Sequence, residues 1–214
     1  MRPEGNPGRH RERRIEGARR PYREGRPDLA VGIPNERPVI VLVGTHDPHK
    51  NHAVTVHAAE RLWREGLDFE LVFIGGVGFM GPEHLCFREA VEAGRPVRNL
   101  GRVTDERMTA EIRQADFSVF LSLHEGYGLP VAESLACGTP VLTSNFGSLQ
   151  EIAEAGGCVT VDPRDDDAVT AAIRTLLTDR EALDDLRAAI AARPQRTWDT
   201  YAAELWAVAT EGTR

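Results

Sequence analysis

The chain has 214 residues, 41% of them hydrophobic and 28% charged, with 20 Gly and 13 Pro; this is ordinary globular composition for one large domain or two small ones, and it excludes collagen-like and wholly disordered chains. The net charge of −7 argues against a general polyanion binder, and no apolar run reaches the roughly 20 residues that a membrane span needs. The three cysteines, Cys86, Cys137 and Cys158, stand at wide and unrelated spacings, which build neither a disulfide framework nor a zinc motif and fit a reducing, cytoplasmic setting.

Residues 1–36 carry nine Arg against six acids, with Pro3, Pro7, Pro21, Pro27 and Pro34 and almost no apolar periodicity. Such a stretch cannot offset the entropy of its own ordering, so a disordered arm or linker remnant is expected. Its acids interleave with the arginines and no aromatic stacking pattern accompanies them, so nucleic acid is not the expected partner. It has no apolar segment and does not read as a secretory signal. From residue 37 the balance reverses to 17 Lys+Arg against 27 Asp+Glu, and 37–214 is expected to form one domain.

Within it, apolar runs alternate with helical spacing. Pro38–Gly44 reads as a strand buried on both faces, and 51–65 as a helix through Val54, His57, Ala58, Leu62 and Trp63. Strands are then expected at Phe69–Ile74, Val97–Leu100, Phe117–Leu121, Pro140–Thr143 and Val159–Val161. Helices are expected at 82–93, Asp105–Ala115, Pro130–Cys137, 147–155, 165–178, about 180–191 and 197–210. Strands alternating with helices at short spacing predict an α/β domain: one doubly wound sheet of six parallel strands with helices on both faces. In that architecture ligands bind at the carboxyl ends of the strands, so chemistry is sought in the loops that follow them.

The first such loop, Gly44-Thr45-His46-Asp47-Pro48-His49-Lys50-Asn51, has a single glycine and is not a dinucleotide turn. It sets Lys50 beside the start of the next helix, where an ammonium and helix N–H groups can meet a phosphate. On this loop alone, a phosphate contact and a solvated lysine are equally open. His46, His49, His52 and His57 crowd the same region, but no Glu or Cys partner accompanies them and a metal centre is not expected. The second loop holds Gly76-Val-Gly78-Phe-Met-Gly81, a G-x-G-x-x-G after the second strand rather than the first. No acid ends the next strand to hold an adenosine ribose, so this is read as a glycine-rich turn near a ligand and not a nicotinamide site.

The third loop, Ser122-Leu-His-Glu125-Gly-Tyr-Gly-Leu-Pro-Val-Ala-Glu133, is the informative one. Pro130 suits a first helical turn, and Gly126 and Gly128 let the backbone approach a ligand. Glu125 on the loop and Glu133 in the first helical turn are expected to flank this anion cradle. Carboxylates accept hydrogen bonds from hydroxyls, so two of them astride a phosphate site describe a sugar–diphosphate–nucleoside. The bland alternative makes Glu133 a helix-dipole partner and Glu125 a solvated acid.

The stretch EGYGLPVAE, followed by SLACGTPV, resembles the signature of the retaining GT-B glycosyltransferases of family four. VGTHDPHKN is similar to that family's phosphate loop in its mannosyltransferase-like members. LVFIGGVGF, NLGRVTDERMTAEIRQADFSVFLS, TSNFGSLQEIAEAGG and VDPRD fall in the family's usual order, so the resemblance covers about 38–210. It implies a Rossmann-like domain that is one half of a GT-B fold, the donor-binding lobe, because the chain is too short for both lobes. It implies Glu125 on the donor sugar, Glu133 on the ribose, and Gly126, Tyr127, Gly128 and Leu129 as the cradle of the diphosphate and sugar. Lys50 would meet the diphosphate, with Glu125 and Lys50 carrying the catalysis, and Val103 would lie near the base, with Thr45, His49 and Gly76 also lining the donor site. Thr45 and His49 depart from the family's arginines, and a histidine supplies charge only partly at neutral pH.

The resemblance further implies retaining glycosyl transfer without a cofactor or metal, from a nucleotide sugar, leaning toward GDP-mannose. An acceptor lobe would be supplied by another chain or by upstream sequence. A binding module that transfers nothing is the alternative. A glycosidase pairing Glu125 with Glu133 leaves the glycines and the lysine unexplained, and the single-glycine first loop weakens a nicotinamide oxidoreductase. On the last helix Trp198, Tyr201, Leu205 and Trp206 form a stripe, for which packing into this domain's core is the plainer expectation and a surface for a missing lobe the sharper one.

Overall fold

The computed structural model describes residues 37–78, 82–194 and 198–211; the arm expected at 1–36 lies outside the described residues. Strands and helices alternate as β1 (Val39–Val43), α1 (His52–Arg64), β2 (Glu70–Ile74), α2 (Pro82–Glu92), β3 (Val97–Asn99), α3 (Asp105–Gln114), β4 (Phe117–Phe120), α4 (Leu129–Ala136), β5 (Val141–Ser144), α5 (Gly147–Ala153), β6 (Cys158–Val161), α6 (Asp166–Thr178), α7 (Arg180–Ala191) and α8 (Trp198–Glu211). All six strands pair in parallel, in the order β3-β2-β1-β4-β5-β6. The order reverses between β1 and β4, and a crevice at the carboxyl ends of those two strands is where such sheets take ligands.

The strands carry side chains into two cores by their period of two. Ile40 and Leu42 of β1 join Leu71, Phe73, Phe117, Val119 and Leu142 against α1, α2 and α6. Val41 turns the other way, with Val72 and Ile74, against Ile112 of α3. On that same face Phe120 and Val141 meet Val131 and Leu135 of α4, Leu149 of α5 and Ile190 of α7. Helix starts are marked by polar side chains: Thr104 accepts from the Arg107 N–H, Asp165 from those of Asp167 and Ala168, and Asp179 from that of Ala182. At the far end Arg193 donates to the carbonyls of Gly156 and Ile152, tying the end of α7 to the α5–β6 turn.

The stripe on α8 corrects the plainer expectation. Tyr201 and Leu205 are exposed and Trp206 and Val208 are more than two-thirds exposed, so these side chains do not pack into the core. The side chain of Trp198 lies outside the described residues.

Candidate functional site

The loops at the carboxyl end of the sheet are stitched to one another through their backbones. The Gly44 N–H donates to Ile74 O at 2.9 Å, the His46 N–H to Gly76 O at 3.2 Å, and the Gly75 N–H to Gly101 O at 3.0 Å. Gly75 is required by this closeness, since a Cβ there would sit 1.6 Å from the Gly44 carbonyl oxygen. Pro48–Lys50 form one turn of 3₁₀ helix, and Asn51, at φ 53°, reverses the chain into α1. Its side-chain amide donates to Pro163 O at 3.0 Å, so the loop after β6 also braces this turn.

Beneath the turn lies an aromatic cluster. His46 is fully buried and stacks on Phe73 at 3.9 Å between ring centroids. His52 is buried edge-on to Phe73 at 5.1 Å, and Phe87 closes the group. Burial holds the His52 imidazole neutral, pulling its pKa down from 6.5 to about 3, with the nearby His46 adding to the effect. His57 is apart from them, within 3.4 Å of the Cys86 sulfur, and His49 is exposed on the turn.

The turn meets the loop after β4 across the strand-order reversal. The Leu123 N–H donates to His49 O at 2.7 Å. Beside this bond the Lys50 ammonium contacts a Glu125 carboxylate oxygen at 2.7 Å, with both side chains more than four-fifths buried. The ammonium also lies 5.2 Å from the centroid of the Phe120 ring. A pair so placed is held by Coulomb attraction and a charge-assisted hydrogen bond, and the Ser148 hydroxyl steadies the Glu125 carbonyl at 3.3 Å.

Beyond Glu125 the cradle opens. Tyr127 and Leu129 are about three-fifths exposed. A Cβ at Gly126 would meet nothing within 4 Å, so internal packing does not require that glycine. Gly128 is required twice over: it takes φ 97° ahead of α4, and a Cβ there would come 2.6 Å from Leu149. The N–H groups at the start of α4 thus face the rim, with Pro130 in the first turn. Glu133 is the fifth residue of α4, one turn later than the sequence reading put it. Its carboxyl is held above the ordinary carboxylate range, by partial desolvation first and then by the charge of Asp105 at the start of α3.

The residues expected to act together therefore fall into two groups. Lys50, Glu125, His49 and the cradle share the β1–β4 crevice. Glu133, on α4, feels the charge of Asp105 at the start of α3 rather than that of Glu125. Thr45 spends its hydroxyl on the Asp47 carboxylate. Gly76 lies under the side chain of Arg102. Asp105 and Arg102 were not singled out from the sequence, although Arg102 directly precedes Val103 and Asp105 opens α3 two residues after it. A cavity of about 380 Å³ exists elsewhere, lined by Val159, Leu176, Ala182 and Leu186 among others, with no residue from these loops. The candidate site is an open crevice along the sheet edge. Among the described residues no group of three or more His, Cys, Asp or Glu could hold a metal ion, and no helix is long and apolar enough to cross a membrane.

Residues 29–193 match the family model described as glycosyl transferases group 1; the match begins inside the segment read as an arm. The chain is 36% identical over 141 residues to the O-antigen chain mannosyltransferase B of Escherichia coli, covering 64% of this chain and 36% of that protein. It is 32% identical over 206 residues to the D-inositol 3-phosphate glycosyltransferase of Corynebacterium urealyticum, covering 91% of this chain and 46% of that one. Among solved structures, sucrose-phosphate synthase from Thermosynechococcus elongatus superposes with a TM-score of 0.67 at 25% identity, over 84% of this chain and 46% of that chain. The chain thus spans less than half the length of these relatives. With the family matched over most of its length, and with the sheet order and the EGYGLPVAE loop of the GT-B type in place, this chain belongs to the group 1 glycosyltransferases.

Proposed function

We propose that this chain is the donor lobe of a retaining glycosyltransferase and binds a nucleotide-diphosphate sugar along the β1–β4 crevice. The observation that carries the reading is the Lys50–Glu125 pair, a cation and an acid from different loops joined at the strand-order reversal. Lys50 and the N–H groups at the start of α4 would take the diphosphate, and Glu125 would accept hydrogen bonds from sugar hydroxyls. Glu133 would hold the ribose. As the glycosyl bond breaks, negative charge builds on the leaving phosphate and positive charge on the sugar. The ammonium and the amides lower the barrier by stabilising the first.

Relatives named as mannosyltransferases support mannose on the donor and, with it, a guanine base. The acceptor would be read by a second lobe, encoded upstream or carried by another chain, consistent with the greater length of those relatives. The exposed stripe of α8 offers that lobe an apolar seat. A reducing, cytoplasmic setting agrees with the free thiols Cys86, Cys137 and Cys158.

Calorimetric titration of the chain with GDP-mannose, UDP-glucose, GDP and guanosine tests the reading. Binding of a nucleotide sugar in the micromolar range, weakened by Lys50→Met, is expected; no binding of any of them would overturn it. Because the chain spans less than half of its relatives, binding without transfer is the expected outcome for the chain alone. A nucleotide-sugar-binding module that needs a partner lobe is thus the second reading. Transfer that appears when an acceptor lobe is added would decide for the enzyme.

A further inference from the structure

A diphosphate arriving in this crevice meets little positive charge. Lys50 is already matched by Glu125, and Asp47, Asp105 and Glu133 stand on the same edge of the sheet. A dianion is repelled by that set unless another cation reaches it.

Arg102 is placed to do so. It follows β3, next to Gly101, whose carbonyl accepts the Gly75 N–H. Its side chain crosses Gly76: a Cβ at that position would come 2.7 Å from the Arg102 Nε and 3.4 Å from its Cγ. The path is open because residue 76 has no side chain. Gly76 in turn accepts the N–H of His46 in the loop that presents Lys50, so the guanidinium lies over the backbone adjoining that loop. Arg102 is exposed and enters none of the ion pairs among the described residues, whereas its neighbours Arg98 and Arg107 are engaged by Glu70 and Glu111. A second exposed cation of the rim, Arg164, is held over the Phe146 ring at 5.1 Å on the β5–β6 side.

We propose that Arg102, laid across Gly76, is a second cation of the donor site and pairs with the diphosphate from the β2–β3 side while Lys50 meets it from β1. A guanidinium suits this role because its fork can bond two phosphate oxygens at once. The inference rests on the donor reading above and adds a residue to it.

The experiment compares the full chain with its Arg102→Met, Gly76→Ala and Arg164→Met variants in calorimetric titrations with GDP, UDP, inorganic pyrophosphate and guanosine. Arg102→Met should weaken both nucleotides and pyrophosphate about tenfold and leave guanosine unchanged. Gly76→Ala keeps the charge but blocks its path, and should produce a smaller loss in the same direction. Arg164→Met should change affinity less than about twofold, the size of a screened field effect. Equal losses for guanosine and GDP would move Arg102 to the base and overturn the proposal, as would unchanged pyrophosphate binding or an equal loss in Arg164→Met. Wild-type binding that depends on Lys50 but not on Arg102 sinks only this inference. A wild-type chain that binds none of the probes sinks the donor reading and this inference together.

Discussion

Lys50 and Glu125 are 75 residues apart in the chain and 2.7 Å apart in space. Each is the other's principal charge partner in a crevice that screens them little, so a diphosphate must draw the ammonium away from the carboxylate, at least in part. Lys50→Met should weaken nucleoside diphosphates by about tenfold or more while sparing nucleosides. It should also lower unfolding free energy by about 2 kcal/mol, because Glu125 keeps its charge without a partner. Glu125→Gln releases the lysine. Its affinity for inorganic pyrophosphate should rise while its preference for a nucleotide sugar over the bare diphosphate falls. Calorimetry with the two ligands checks both; equal changes for both would remove Glu125 from the sugar.

Glu133 is raised by partial desolvation and by Asp105, so its ionised form is disfavoured in the folded chain. The penalty is full above its folded pKa and is relieved as pH falls through that value. Glu133→Gln should therefore stabilise the chain slightly at pH 7 and not at pH 4, as read by thermal unfolding. The same variant should lose affinity for ribonucleotides more than for their 2′-deoxy analogues. An unchanged ratio would separate this carboxylate from the ribose.

His52 is held neutral by burial, with its pKa near 3 against an ordinary 6.5. Below pH 6.5 the unfolded chain takes up a proton that the folded chain refuses. Stability from this residue is thus complete above about pH 7 and falls by roughly 1.4 kcal/mol per pH unit until the folded value is reached. Urea unfolding should show a loss of roughly 2 kcal/mol between pH 7.5 and pH 5 from this source. His52→Phe should show a slope shallower by that amount, and an equal slope would place the acid sensitivity elsewhere.

Trp206 is 72% exposed. Trp206→Ser should leave unfolding free energy within about 0.5 kcal/mol of the parent chain. If the aromatic stripe seats an acceptor lobe, the same substitution should weaken assembly with that lobe, measured by sedimentation. A large drop in stability would return the side chain to the core of this domain.

The six strands and eight α-helices of the described residues were legible because a parallel sheet covered on both faces needs continuous apolar runs, and its crossover helices need a 3.6-residue spacing. VIVLV and ELVFI could be little else. The α8 stripe was misread for a related reason: periodicity shows that a face is apolar but not what covers it. Lys50 and Glu125 could each be placed on the right loop, but their mutual pairing depends on the Leu123–His49 backbone bond, and no residue type announces that. The deep burial of His46 and His52 was equally hidden, since a histidine in a polar loop gives no sign of an aromatic floor beneath it. Arg102 escaped notice because its position depends on the side chain that Gly76 lacks.

The buried hydrophobic residues end at Ile190, and Arg193 fastens the end of α7 to the carbonyls of Gly156 and Ile152. The family match stops at the same residue, 193. Among the described residues, every deeply packed apolar side chain is thus in place before α8 begins. A chain trimmed after Pro194 should keep the β1–β4 crevice whole, which makes the last helix a detachable handle for testing crevice and helix separately.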